Sequence, residues 1–139
     1  MKNGLVVIDM LNDFQDGVLA NSAAEPIVEP LKKLIEAARV NDDWVVIYGN
    51  DAHKPDDLEY KVFGVHAEVG SDGADVIPAL APQEGDEIVN KRYYSTFTET
   101  DIDSICKIHG IGRLVMAGQH TDCCVRHTTY DAFVRGHEV

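Results

Sequence analysis

Short apolar runs alternate with longer segments of helical periodicity along this chain. The first run, Leu5-Val6-Val7-Ile8, is apolar at every position, which predicts a central strand covered on both faces. Comparable runs at 44–48, 86–91 and 112–117 predict three further strands. A long segment at 51–72 shows neither the alternation typical of a strand nor the 3.6-residue period of a helix. It is expected to be an irregular loop with a functional role.

Three segments predict amphipathic helices, at about 24–40, at about 101–109 and at 122–135. Thr98 and Asp101 are spaced as a capping box, which would place the start of the second helix. The inward positions expected of the second helix are Ile102, Ile105 and Ile108. Those expected of the third are Val125, Thr129, Ala132 and Phe133.

Strands and helices alternate about every thirty residues, a pattern that indicates βαβ units with right-handed crossovers. We therefore predict one α/β domain over 1–139, with three layers and a mostly parallel, Rossmann-like sheet carrying helices on both faces. Residues 136–139 resemble the first step of another strand. We expect a further strand and helix to be missing from the C-terminal end of this sequence.

Composition excludes several classes of function. The 139 residues carry a formal charge of −12, which argues against nucleic-acid binding because that affinity comes largely from Lys and Arg at phosphates. No apolar run approaches the ~20 residues of a membrane span, and no cleavable apolar leader is seen, so we expect a cytoplasmic protein. Three cysteines, two of them adjacent, indicate reduced thiols.

Polar residues follow the predicted strands at their carboxyl ends, where open α/β sheets bind ligands. Asp9 follows the first strand, Asp51 and His53 follow the second, Lys91 ends the third, and Cys124 lies in the segment after the fourth. These positions are the candidate functional site.

Cys124 is expected in the first turn of a helix, where backbone N–H groups and the helix dipole stabilise a thiolate. Taken alone, a free cysteine at this position is more often a small buried hydrophobe. Asp9 could be a helix cap or a structural ion-pair partner, and Lys91 a surface lysine. Taken together, the three supply a nucleophile, a carboxylate that can take its proton, and a cation that lowers the thiol pKa.

Asp51, His53 and His66 offer one carboxylate and two imidazoles. This set suits zinc, iron or manganese, with coordination positions left for water or substrate. The alternative is a pair of solvated loop histidines.

Three motifs, in order and spread over nearly the whole chain, resemble the isochorismatase-like cysteine hydrolases, a superfamily that includes nicotinamidases and N-carbamoylsarcosine amidases. The motifs are Val7-Ile8-Asp9-Met10-x-Asn12-Asp13-Phe14, Lys91-Arg92-Tyr93-Tyr94-Ser95-Thr96-Phe97 and Gly118-x-x-Thr121-Asp122-x-Cys124-Val125-x-x-Thr128. The resemblance implies that Asp9, Lys91 and Cys124 are the catalytic triad and that Cys124, not Cys123, is the nucleophile.

The resemblance also implies a cis peptide at Gln119-His120 and an oxyanion hole made by the backbone N–H groups of His120 and Cys124. It implies that Phe14 and Phe63 line the substrate pocket.

In the same family, Asp51, His53 and His66 correspond to the ligands of a divalent metal, for which we expect zinc, with iron or manganese as alternatives. The chain departs from the family pattern in two places. Phe63-Gly64-Val65-His66-Ala67 replaces the more usual Trp-Pro-x-His-Cys, and residues 54–59 replace a stretch that often holds a second histidine.

The resemblance implies hydrolysis of a small-molecule amide through a thioester, with nicotinamide as the expected substrate, by a homo-oligomer. An N-carbamoylsarcosine-type or other ureide amidohydrolase is the alternative within the family. A non-catalytic metal-binding or interaction domain that retains the fold is the alternative of a different class.

Overall fold

A computed structural model describes residues 1–139 and contains one four-stranded parallel sheet. Its spatial order is β3-β2-β1-β4, so the N-terminal strand lies inside the sheet. The strands are β1 (Lys2–Ile8), β2 (Trp44–Asp51), β3 (Glu87–Lys91) and β4 (Ile111–Gly118). The predicted α/β fold and parallel sheet are confirmed.

Five α-helices accompany the sheet, and the three long predicted helices are among them. They are α1 (Asn12–Gln15), α2 (Glu25–Arg39), α3 (Tyr60–Phe63), α4 (Ile102–His109) and α5 (Arg126–Val134). The sequence pattern missed the one-turn helices α1 and α3, because four residues are too few to show a period of 3.6.

The core is divided by the sheet into two apolar clusters. Alternate residues of β1 point to opposite faces, so Leu5 and Val7 pack with α2 while Val6 and Ile8 pack with α4 and α5. All four β1 side chains are fully buried, as the uninterrupted apolar run predicted.

Two predicted inward positions are wrong. Ile108 of α4 is 79% exposed, because the buried face is formed by Ile102, Ile105 and Cys106, and Ile108 lies roughly 240° around the helix from Ile102. Phe133 of α5 is 67% exposed, because Thr128 and Ala132 face the sheet instead.

The predicted capping box is also absent. Helix α4 begins after Asp101 with no side-chain cap hydrogen bond. The nearby hydroxyl of Thr100 instead donates to the carbonyl of Thr96 and accepts a long, 3.5 Å bond from the Ile102 N–H. Thr98 does not cap the helix because residues 96–99 form a turn of their own, in which Glu99 has a φ of 55°.

The loop after β2 is held in place by the backbone despite its irregular sequence. His53 N donates to Ala67 O at 2.9 Å and Val69 N donates to His53 O at 2.8 Å, a short parallel bridge that closes the loop on itself. Asp13 of α1 accepts a 2.8 Å hydrogen bond from Ala67 N. The loop is therefore held both by the residues that follow β2 and by helix α1, which follows β1.

Residues near Val139 return to the sheet. Glu138 forms a parallel bridge with Arg113 on the outer side of β4, with Glu138 N bonded to Gly112 O at 3.0 Å and Leu114 N bonded to Glu138 O at 2.8 Å. No helix of the structure combines the length and apolar character needed to cross a membrane.

A buried tyrosine ties α2 to the connection before β3. The Tyr48 hydroxyl donates to Leu80 O at 2.8 Å and accepts from Arg39 Nη2 at 3.0 Å, while Arg39 also pairs with Asp86 at 2.6 Å. Burial raises the pKa of Tyr48 to about 12, and the nearby Arg39 only partly offsets this. The hydroxyl is therefore protonated at neutral pH.

The raised pKa of Tyr48 predicts a specific alkaline loss of stability. The Tyr48 hydroxyl holds its proton more tightly in the folded state than in the unfolded state. Its contribution to the free energy of unfolding is therefore complete below pH 10 and is lost as the pH rises through about 12. The free energy of unfolding of the wild type, measured in urea, should exceed that of Tyr48→Phe by about 1 kcal/mol at pH 8. The difference should shrink between pH 10 and 12. A constant difference over this range would contradict the assignment.

Candidate active site

The carboxyl ends of four parallel strands meet at one edge of the sheet and place the predicted polar residues side by side. Ile8 is paired with Gly49 on one side and with Gly118 on the other, and Asp51 is paired with Lys91. Asp9, the residue after β1, is therefore at the centre of this edge.

Asp9 is held in an unusual backbone conformation. Its φ is 50°, a left-handed value that costs a residue with a side chain about 1 kcal/mol. Its N–H donates to Gly49 O at 3.1 Å, and its carbonyl accepts from Gln119 Nε2 at 3.0 Å. These bonds fix the direction of its side chain, whose Oδ1 accepts a 2.8 Å bond from the N–H of Asp51.

Lys91 joins the polar side chains of this edge. Its side chain is fully buried, and Nζ lies 2.8 Å from Asp9 Oδ2, 2.5 Å from Asp51 Oδ1 and 3.4 Å from Cys124 Sγ. One carboxylate oxygen of Asp9, one of Asp51 and the Sγ atom of Cys124 all lie within 4.8 Å of one another. The structure thus brings together the three residues predicted as a triad and adds Asp51 to them.

Burial sets the protonation of this group. It opposes the charge of Lys91, but Asp9 and Asp51 raise the pKa of the ammonium well above its usual value. Burial and the charge of Asp51 raise the pKa of Asp9 to about 6 despite Lys91. Asp9 remains largely a carboxylate at neutral pH, and its affinity for a proton is greater than that of an exposed aspartate.

The pKa of the Cys124 thiol was expected to be lowered by Lys91, but it is raised. Lys91 does favour the thiolate, but burial and the negative charge of Asp9 outweigh it and raise the pKa of Cys124. Cys124 therefore rests as a thiol beside a carboxylate able to accept its proton.

The sequence predicted Cys124 in the first turn of an α-helix, and this prediction is wrong. Cys124 lies in a π-helical turn, Thr121–Val125, that precedes α5. Gly118 begins the approach to this turn with a φ of 109°, and a Cβ there would lie 2.1 Å from the carbonyl oxygen of Ile8. Only glycine allows β4 to pass this close to β1 and deliver the cysteine to Asp9.

Gln119-His120 is a cis peptide bond, at the place that the family resemblance implied. Gln119 N donates to Ile8 O at 3.0 Å, while the N–H of His120 donates to no group of the chain. A free N–H close to Cys124 is the property required of an oxyanion donor if this thiol is the nucleophile.

A second cluster shares Asp51 with the first. Ligand-type atoms of Asp51, His53, Glu59 and His66 lie within 4.8 Å of one another. His53 Nε2 is 3.6 Å from Asp51 Oδ2 and 3.5 Å from Glu59 Oε2, and His66 Nε2 is 3.8 Å from Glu59 Oε2. Ligands roughly 2.1 Å from a tetrahedral ion are about 3.4 Å apart, so these spacings fit a metal site.

The imidazole nitrogens are arranged as metal ligands. His66 Nδ1 is bonded to Gly64 O at 2.8 Å and His53 Nδ1 to Asp57 Oδ2 at 3.1 Å, which directs both Nε2 atoms inward. The Nε2 atom of His53 is buried and has no hydrogen-bond partner. Burial lowers the pKa of His53, but the carboxylates of Asp51 and Glu59 outweigh this and raise it to about 10. The cluster therefore attracts positive charge.

Glu59 was missed as a candidate ligand. It lies in the 54–59 stretch that departs from the family pattern, and nothing in its spacing relates it to Asp51 or His66. Only the turn into α3 brings its carboxylate to the cluster.

Both clusters open into one cleft of about 300 Å³, at the small end of the range for small-molecule sites. Phe14 is buried at its wall and Phe63 is 41% exposed at its rim, and both rings lie about 6 Å from that of His66. The lining residues to which the sequence assigned no role in the site are Leu19, Glu59, Tyr94, Asp122 and Cys123.

Residues 3–139 match the Isochorismatase domain family. The chain therefore belongs to the isochorismatase family of hydrolases. Its α/β fold is shared with solved members of the family.

Three relatives illustrate this similarity. The N-carbamoylsarcosine amidase from Thermoplasma acidophilum is 42% identical, with a TM-score of 0.94, over 99% of this chain and 79% of that one. The pyrazinamidase of Pyrococcus horikoshii in complex with zinc is 25% identical, with a TM-score of 0.90, over 100% and 82% of the two chains. Ureidoacrylate amidohydrolase RutB from Serratia proteamaculans is 30% identical over 95% of this chain and 64% of its own length.

The four-residue cluster predicts zinc binding that depends on Glu59. Removal of its charge in Glu59→Gln should weaken Zn²⁺ binding by more than the roughly 10- to 100-fold that is typical of outer-shell changes. Competition with a chromophoric chelator measures this affinity. Glu84→Gln, the same change at an exposed site, is the matched control and should bind as the wild type does. Equal affinities in all three proteins would remove Glu59 from the site.

Proposed function

We propose that this protein is a metal-dependent cysteine amidohydrolase that converts an uncharged ring amide, nicotinamide, to nicotinate and ammonia. The observation that supports it most directly is the position of Lys91 Nζ, within 3.4 Å of Cys124 Sγ and in contact with both Asp9 and Asp51. The metal-type cluster that shares Asp51 opens into the same cleft.

The first half-reaction uses the thiol and the carboxylate together. Asp9 accepts the proton of Cys124 as Sγ attacks the amide carbon, because the resting thiol must lose its proton to become the nucleophile. The proposed donors to the oxyanion that forms are the backbone N–H groups of His120 and Cys124. Asp9 then returns the proton to the nitrogen, the C–N bond breaks and ammonia leaves.

The second half-reaction removes the acyl group. A water molecule attacks the thioester while Asp9 takes one of its protons, and the C–S bond breaks to release the carboxylic acid. Cys124 Sγ recovers the proton from Asp9. Lys91 stays protonated throughout and stabilises whichever of Asp9 and Cys124 carries negative charge.

A divalent metal held by Asp51, His53, Glu59 and His66 would supply a Lewis acid for a substrate nitrogen or for water. Zinc is the proposed metal, on the basis of the nitrogen and oxygen donor set and of the zinc-bound relative, with iron or manganese as alternatives. Phe14 and Phe63 are proposed to hold the ring of the substrate, since both lie at the cleft beside His66.

The charge of the cleft favours an uncharged substrate. Four carboxylates line it, from Asp9, Asp51, Glu59 and Asp122, and no Lys or Arg is among the lining residues. The nearby ammonium of Lys91 is buried and already paired with Asp9 and Asp51, so no Lys or Arg at the cleft surface can pair with a substrate carboxylate. N-carbamoyl amino acids and ureidoacrylate carry such a group, whereas nicotinamide does not.

The alternative amidohydrolase activity, on N-carbamoylsarcosine or another ureide, is supported by the 42% identity with the Thermoplasma acidophilum amidase. Both activities would use the same triad. They differ in what the cleft must recognise beyond the amide.

Replacing the nucleophile should abolish the reaction. Cys124→Ala should lower kcat for ammonia release from nicotinamide by about 10⁴-fold or more, since the thiol forms the covalent intermediate. The adjacent Cys123→Ala is the matched control and should keep activity within a few-fold, because Lys91 contacts only the sulfur of Cys124. Turnover retained by Cys124→Ala would sink the proposal. A wild type that binds zinc but cleaves no amide would favour the non-catalytic alternative.

A substrate panel separates the two amidohydrolase activities. The kcat/KM for nicotinamide and pyrazinamide should exceed that for N-carbamoylsarcosine. Asp122, exposed at the cleft and without a side-chain partner, should contribute to the difference. Asp122→Asn should raise kcat/KM for N-carbamoylsarcosine by up to about fivefold at low salt, in keeping with an exposed charge interaction of about 1 kcal/mol. A wild type that prefers N-carbamoylsarcosine would reverse the substrate assignment.

The homo-oligomer and the cytoplasmic location expected from the sequence stay predictions. Apolar side chains exposed on α3 and α5, which include Val62, Tyr130 and Phe133, offer a surface on which subunits could associate. Sedimentation analysis would measure the subunit number.

A further inference from the structure

Asp57 is a buried carboxylate that neither the triad nor the metal-type cluster uses. It lies in the turn between β2 and α3 and is 5% exposed. Its Oδ2 is 3.1 Å from His53 Nδ1, the ring nitrogen directed away from the cluster, and also accepts a 3.0 Å bond from Lys54 N. Asp57 therefore contacts His53 on the side of the ring opposite the cluster, so its carboxylate cannot itself be a metal ligand.

Arg92 fixes this carboxylate in place. Its Nε donates to Asp57 Oδ1 at 3.0 Å and to Oδ2 at 3.1 Å, and its Nη2 also donates to Oδ1. Such a forked contact defines the plane of the carboxylate as well as its position. The guanidinium comes from the residue after Lys91, so one strand end supports both clusters.

The fixed carboxylate of Asp57 determines the orientation and the tautomer of the His53 ring. A carboxylate held at Nδ1 favours the tautomer with the proton on Nδ1, which leaves the lone pair of Nε2 for a metal. The buried Nε2 atom, which has no hydrogen-bond partner, points into the cluster with Asp51 and Glu59. In the neutral ring, which is the form that binds a metal, the ring orientation and the position of the proton are thus both determined from the side opposite the cluster.

We propose that Asp57 and Arg92 are positioning residues that orient His53 and fix its tautomer for metal binding. The proposal rests on the metal site of the proposed function and adds the pair that prepares it. Arg92 acts through Asp57, and Asp57 acts through His53. Neither residue touches the substrate or the metal.

The test measures Zn²⁺ affinity of the metal-stripped full chain by chelator competition, and thermal unfolding in parallel. Asp57→Asn should weaken Zn²⁺ binding roughly 10- to 100-fold, less than Glu59→Gln does, because an outer-shell partner is lost and all four ligands remain. Asp56→Asn is the matched control, because it makes the same change one residue earlier at an exposed site, and should bind as the wild type does.

Arg92→Lys and Arg92→Met extend the series if Asp57→Asn does not fold. Lysine keeps the charge but not the fork, so its Zn²⁺ affinity should fall between those of the wild type and Arg92→Met. In the Zn²⁺-loaded wild type, ¹⁵N imidazole spectra should show the His53 proton on Nδ1. A purely structural ion pair would lower the unfolding temperature in these variants and leave both the Zn²⁺ affinity and the tautomer unchanged.

The outcomes separate this inference from the proposed function. A wild type that binds Zn²⁺ while Asp57→Asn binds equally well overturns the positioning role and leaves the metal site intact, and a His53 proton found on Nε2 does the same. A wild type that binds no Zn²⁺ overturns both. A wild type that binds Zn²⁺ but hydrolyses no amide would count against the proposed function alone.

Discussion

A buried ammonium group is the constraint on which the rest of this site depends. Lys91 has no contact with solvent, and a charge in that position is tolerated only when it is paired. The pairing comes from two carboxylates, Asp9 and Asp51, at the carboxyl ends of the neighbouring strands β1 and β2. This requirement explains the strained backbone of Asp9 and the close packing of β4 against β1 at Gly118, since both are needed to bring the charges and the thiol together.

Much of the fold could be predicted because its signals are local. Buried parallel strands appear as apolar runs, and α2 shows its period over fifteen residues. Asp9, Lys91 and Cys124 could be located because each comes at the end of a strand or just after one, and parallel strands bring their carboxyl ends to one edge. The errors at Ile108 and Phe133 have a common cause: apolar residues also occur on exposed helix faces, and sequence alone does not show which face meets the sheet.

The metal-type cluster could be predicted only in part. Asp51 and His53 follow a strand, and the family resemblance points to His66, but Glu59 and Asp57 come from an irregular loop without periodicity. Their positions depend on a bridge between His53 and Glu68, on the short helix α3 and on the guanidinium of Arg92. Such contacts between distant residues leave no regular trace in the sequence. The π-helical turn at Cys124 was likewise hidden, because its residues also suit the start of an ordinary helix.

The carboxylate of Asp51 is divided between two tasks. One oxygen is bonded to Lys91 and the other faces His53, so a single side chain belongs both to the cluster around Lys91 and to the metal-type cluster. Any substitution there would alter two chemistries at once, and its effect could not be attributed to either. Under the proposed function, a change of substrate would therefore come from the surrounding loop, where Phe63 lies at the rim of the cleft.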